Sequence, residues 1–80
     1  MNYEQFKSEI LKAKTFKNLE EYIKSSYWTG YIRGLRRAYH GESFGSNDEH
    51  LRWINLSKDE DIIRKQLGIG YIEGLKFGEI

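Results

Sequence analysis

The chain has 80 residues, a formal charge of +1, and 31% charged and 39% hydrophobic residues. This size and balance exclude a disordered tail and a second domain, leaving one globular domain, residues 1–80, near the lower limit for an independent core. Cysteine is absent, which removes disulfides, thiolate zinc sites and cysteine nucleophiles and suits a cytoplasmic location, while the lack of any span-length apolar run or signal-peptide stretch argues for no membrane partner.

Tyr3, Phe6, Ile10 and Leu11 fall on one face of a first helix expected over residues 2–14. A short break is expected at residues 15–18. Asn18 with Glu21 has the form of a capping box, opening a second helix over residues 19–39 that stops at Gly41. GESFGSNDE reads as a loop in which Phe44 folds back to plug the hairpin. Ser46 with Glu49 then caps a short third helix, residues 47–55, and Ser57 with Glu60 suggests a fourth from Lys58, bent or split at Gly68 and Gly70. With no proline and no sustained alternation, the fold class is all-α.

An internal repeat organises these helices. Gly30-Tyr31-Ile32-Arg33-Gly34-Leu35 returns forty residues later as Gly70-Tyr71-Ile72-Glu73-Gly74-Leu75, and the same offset aligns Glu9 with Glu49, Leu11 with Leu51, Glu20 with Glu60 and Ile23 with Ile63. The reading is a compact four-helix domain of two similar hairpins, residues 1–40 and 41–80, about a pseudo-twofold axis. Convergence on a shared packing motif is the alternative. The expected core comprises Leu11, Leu19, Ile23, Tyr27, Tyr31, Leu35, Trp53, Ile63, Leu67, Tyr71 and Leu75. Each glycine inside a helix costs about 1 kcal/mol relative to alanine. Gly30, Gly34, Gly70 and Gly74 therefore point to close backbone approach between the two longer helices.

Turning 100° per residue from Gly30, the second helix has a wide aromatic side and a basic side of Arg36, His40, Arg33 and Arg37 between about 240° and 340°. Residues 21–40 hold four basic and one acidic group and residues 41–60 two basic and five acidic, so ion pairs to Glu42, Asp48 or Glu49 compete with an exposed face. If exposed, Arg33, Arg36 and Arg37 suit phosphates, with Trp28 or Tyr39 for stacking. The same face, with His40, suits a protein partner whose surface is acidic or normally binds nucleic acid. The aromatic arc exceeds what one neighbouring helix covers, so a homodimer is expected.

Candidate chemistry is sparse. His40 and His50, with Glu42, Asp48 and Glu49, surround the central loop, but the spacing matches no compact metal motif and neither serine near His40 sits on a strained elbow. No metal, cofactor or enzymatic activity is expected. His40 reads as a cation at a helix C-terminus, His50 as neutral or paired with Glu49 or Asp48, and Trp53 as the anchor of the third helix on the Tyr27 to Tyr31 region.

The run from Gly30 to Gly45, followed by Glu49, His50 and Trp53, resembles a GYxRGLRRxYHGExFG…EHxxW pattern of small bacterial proteins associated with phages and other mobile elements. The likeness covers about a third of the chain. It implies a mobile-element setting, in which small helical proteins are DNA-binding regulators or inhibitors of host defence enzymes, anti-CRISPR proteins included. The combined expectation is a nonenzymatic interaction protein acting through the basic and aromatic face. Direct DNA or RNA binding through that face and a structural helical oligomer are the alternatives.

Overall fold

Caps set most helix boundaries in the computed structural model, which describes residues 2–19, 22–43 and 45–79. Helix α1 (Tyr3–Leu19) opens on a reciprocal pair: Gln5 N–H donates to Asn2 Oδ1 at 2.8 Å and Asn2 N–H to Gln5 Oε1 at 3.1 Å. Helix α2 (Tyr22–His40) ends where Gly41 takes φ +111°, a conformation side chains disfavour, and returns its N–H to the Arg37 carbonyl. Helix α3 (Asn47–Leu56) is capped by Ser46 as the sequence suggests, Glu49 N–H donating to Ser46 Oγ. Helix α4 (Ile62–Gly78) is capped by Asp61, whose carboxylate accepts from Ile63 and Arg64 N–H.

Two expected boundaries are corrected. The break at residues 15–18 is absent, because the Thr15 hydroxyl bonds back to the Leu11 carbonyl and Phe16 stacks on Trp28, centroids 5.1 Å apart, so α1 continues another turn. The fourth helix starts at Ile62 and not near Lys58, because Ser57 donates to the Ile54 carbonyl and closes α3. Gly68 and Gly70 do not split α4, which is one helix through both. The Asn18 and Glu21 box, the Phe44 plug and the Leu19 and Ile23 side chains lie outside the described residues.

The helices form two hairpins, α1 with α2 and α3 with α4, joined through α2 and α4 in the order α1, α2, α4, α3. Among the described residues there is no strand, and no helix is long and apolar enough to cross a membrane. The array measures 40 × 28 × 18 Å. Its accessible surface, 5669 Å², exceeds the roughly 5000 Å² expected of a compact monomer of its mass. Much of both broad faces therefore stays open.

The centre is a glycine seam. A methyl on Gly30 would fall on the Tyr71 carbonyl and lie 2.9 Å from Leu75 N; one on Gly74 would fall on the Tyr27 carbonyl and lie 2.9 Å from Tyr31 N. Gly34 and Gly78 repeat the arrangement one turn on, Gly34 meeting Leu75 to Glu79 and Gly78 meeting Tyr31 to Leu35. The two helices therefore run parallel, backbone on backbone. Reciprocal contacts pair Gly30 with Gly74 and Gly34 with Gly78, an offset of forty-four residues, one helical turn more than the sequence repeat. The missed member is Gly78; Gly70, half-buried, stands one turn before Gly74 on the same row.

Leu35, Leu67, Tyr71 and Leu75 are buried as expected, joined by Phe6, Ala13 and Ile32. Tyr27, Tyr31 and Trp53 are half-buried. Leu11 and Ile63, 67% and 62% exposed, do not belong to the core: the open array leaves no fifth surface to cover their sides of α1 and α4. Trp53 stacks on Tyr71, 5.2 Å between centroids and 10° between planes, and not on the Tyr27 to Tyr31 region, because the α3 backbone comes close only to that of α4.

Candidate interaction surface

The basic side of α2 does not remain one face. It lies between the directions taken by α1 and α4, and its members divide according to which neighbour is nearer. Arg33, its side chain 14% exposed, donates to the Ser46 carbonyl at 2.8 Å and pairs with Glu49 at 3.1 Å. One guanidinium thus holds the N-terminal turn of α3 against α2, a bidentate use that lysine could not reproduce. Arg37 points to the end of α4, its Nε 3.6 Å from Glu79 Oε1, buried and without a hydrogen bond. The expected competition with acidic residues is resolved for these two: Glu49 takes Arg33, and Glu79, outside the loop, faces Arg37.

Arg36 turns the other way, toward α1. It lines a cavity of about 240 Å³ with Lys14 and Lys17 from α1, Thr29, Ile32 and Arg33 from α2, and Gly45 and Glu49 beyond. Lys14 and Lys17 lie one turn apart, so both side chains reach the same groove. The sequence reading missed these lysines, since nothing local marks them out from the other lysines of α1. Only the α1 and α2 pairing brings them to Arg36. A second, more open groove of about 470 Å³ shares Lys14 and Arg36 and is lined by Phe6, Ile10 and Leu11, with Lys7 and Ser8 at its border.

The aromatic residues form two columns. Phe16 stacks on Trp28, Trp28 meets Tyr27 and Tyr31 edge-on, and Tyr31 leans on Phe77. At the other end of the hairpin Phe6 stacks on Tyr39 at 4.5 Å, Tyr3 lies beyond it, and exposed His40 packs edge-on against Phe6 and Tyr39. Trp28 and Tyr39 are therefore already engaged by α1 on one ring face each. Tyr31 donates to Glu9 at 3.2 Å, and burial, the Glu9 hydrogen bond and the Glu9 charge push its phenol up.

His50 lies apart from His40. Its Nδ1 is 2.8 Å from the hydroxyl of Tyr71, the largest fully buried side chain. Burial, then the charges of Arg37 and Arg33, hold His50 below the usual imidazole range, so it is neutral at pH 7, and its hydrogen-bond partner is Tyr71 rather than Glu49 or Asp48. Burial raises the Tyr71 phenol while Arg33 and Arg37 oppose the rise. Among the described residues no group of three or more histidines and carboxylates is placed to hold a metal.

The arrangement offers cationic and aromatic side chains suited to binding. No protein-family model matches the chain, and no curated protein or solved structure is significantly similar to it. The functional reading rests on the fold and this surface.

Proposed function

We propose that the protein is a nonenzymatic interaction module that engages an acidic protein partner through the outer surface of the α1 and α2 hairpin. The observation that carries this reading is the open groove of Phe6, Ile10 and Leu11 bordered by Lys7, Lys14 and Arg36. An apolar centre ringed by cations suits a partner presenting an apolar side chain among carboxylates. Tyr3 and Tyr39 extend the same flank with further exposed aromatic area. A surface that normally binds nucleic acid is itself basic, so the cationic rim favours an acidic partner over that class. The phage-associated resemblance adds a setting, a regulator or inhibitor encoded by a mobile element.

Direct DNA or RNA binding is the second reading, carried by Arg36 with Lys14 and Lys17 and no longer by Arg33, Arg36 and Arg37 together. With two of the three arginines engaged internally, few phosphate contacts remain, and useful affinity would need a dimer that presents the patch twice.

The test is affinity capture from host lysate with the wild-type protein and with Leu11→Asp, beside binding to labelled single- and double-stranded DNA and RNA at low and near-physiological salt, with the mass in solution followed throughout. The reading expects a discrete acidic protein retained by wild type and lost by the variant, which folds because Leu11 is exposed. Saturable nucleic-acid binding that Arg36→Ala removes would replace it with the second reading. A dimer that Leu11→Asp converts to monomer would show that a second copy occupies the groove, and would overturn it too.

A further inference from the structure

We infer that the cavity between α1 and α2 is an oxyanion site for a small ligand of the phosphate class, taking a diphosphate group. The inference goes beyond the partner-docking reading and does not rest on it. Four cations line the cavity, Lys14, Lys17, Arg33 and Arg36, against one carboxylate, Glu49. That carboxylate is already committed to Arg33 at 3.1 Å, so the excess positive charge belongs to Lys14, Lys17 and Arg36. No ion pair engages these three among the described residues, in a chain whose formal charge is only +1. Three like charges drawn into one concavity repel one another, and an anion between them removes that repulsion.

The shape agrees with the charge. Ile32, a buried side chain, closes part of the floor, and the Thr29 hydroxyl is turned away to the Ser25 carbonyl at 2.9 Å, so the ligand-facing donors are the cationic groups at the rim. The volume, about 240 Å³, admits a diphosphate together with water. Arg36 is half-buried on a rigid helix and supplies a planar fork, while Lys14 and Lys17 reach in as point charges from the opposite wall. The concave, partly apolar setting favours a compact ligand over a polymer backbone, which would have to leave the cavity at both ends.

The probe is inorganic pyrophosphate, titrated into isotopically labelled full-length protein and followed by backbone amide shifts, with a single-stranded oligonucleotide and sodium sulfate as separate arms. The expected result is saturable shifts concentrated at residues 14, 17, 29, 32 and 36, with a dissociation constant below about 1 mM. Lys14→Gln with Lys17→Gln weakens binding about tenfold or more, the loss of charge-assisted contacts. Arg36→Ala does the same, whereas Leu11→Ala, a neutral change at a residue that lines the partner groove and not the cavity, leaves pyrophosphate affinity unchanged, and this separates the site from the partner groove. Both lysines are exposed, so the double variant folds, and unchanged melting confirms it. Shifts that never saturate, shifts spread over every lysine, equal response to sulfate, or binding confined to the oligonucleotide would each overturn the inference.

Discussion

Replacing Gly74 with alanine tests the seam against helix propensity, because the two give opposite signs. Propensity alone makes Gly74→Ala stabilising by about 1 kcal/mol in a helix interior. The packing says otherwise: the new methyl would fall on the Tyr27 carbonyl, 2.8 Å from its carbon and 2.9 Å from Tyr31 N, all backbone atoms that cannot rotate aside. Restoring ordinary contact to the Tyr27 oxygen requires α2 and α4 to part by about 1.5 Å, and a gap of that order forfeits about half or more of the dispersion attraction across it. Leu35, Tyr71 and Leu75 sit at this junction. If each contributes about 2 kcal/mol by burial, losing half costs about 3 kcal/mol. Set against the propensity gain, the net destabilisation is about 2 kcal/mol, a fall in melting temperature of about 8–16 °C for a domain of this size. Urea and thermal unfolding followed by circular dichroism read both values. A Gly74→Ala protein as stable as wild type, or more so, would falsify the close parallel contact.

Two further outcomes follow from the site. Arg33→Ala removes a charged hydrogen bond and an ion pair that hold α3 and should cost about 1–3 kcal/mol in urea denaturation, whereas Arg36→Ala should stay within about 0.5 kcal/mol; equal effects would mean the arginines are not divided between structure and surface. For His50 the folded value lies below the unfolded one, so the unfolded chain takes up its proton first as pH falls. Its contribution is whole above about pH 6.5, is lost as pH drops toward the folded value, and is constant below it. The melting temperature should therefore fall more steeply between about pH 7.5 and 5.5 in wild type than in His50→Gln, and parallel curves would refute the burial of a neutral imidazole.

The helices were legible where a cap or a periodic face marked them: Ser46 with Glu49 opens α3 where expected, and Gly41 closes α2. Competition for the same side chains hid the rest. Ser57 could open a helix or close one, and the Ile54 carbonyl claims it, leaving the cap of α4 to Asp61. Thr15 looked like a breaker, yet its hydroxyl finds the Leu11 carbonyl within the helix. The candidate surface was half legible. Arg33, Arg36 and Arg37 share one arc of an ideal helix, but nothing in α2 says which neighbour lies on which flank, and so which arginine turns inward. Lys14 and Lys17 belong to the site only through that tertiary placement.

Three glycines on one row of α4, Gly70, Gly74 and Gly78, face only two on α2. The row could accept Gly30 and Gly34 in either of two settings a single turn apart, about 5.4 Å of sliding. The seam by itself does not discriminate between them. Selection falls to side chains that reach out of α2: Arg37 lies beside Glu79, and Arg33 reaches Ser46 and Glu49, only in the observed setting. These contacts act as detents, so substitutions at Arg33 or Glu79 should alter which setting the helices occupy before they alter whether the helices associate.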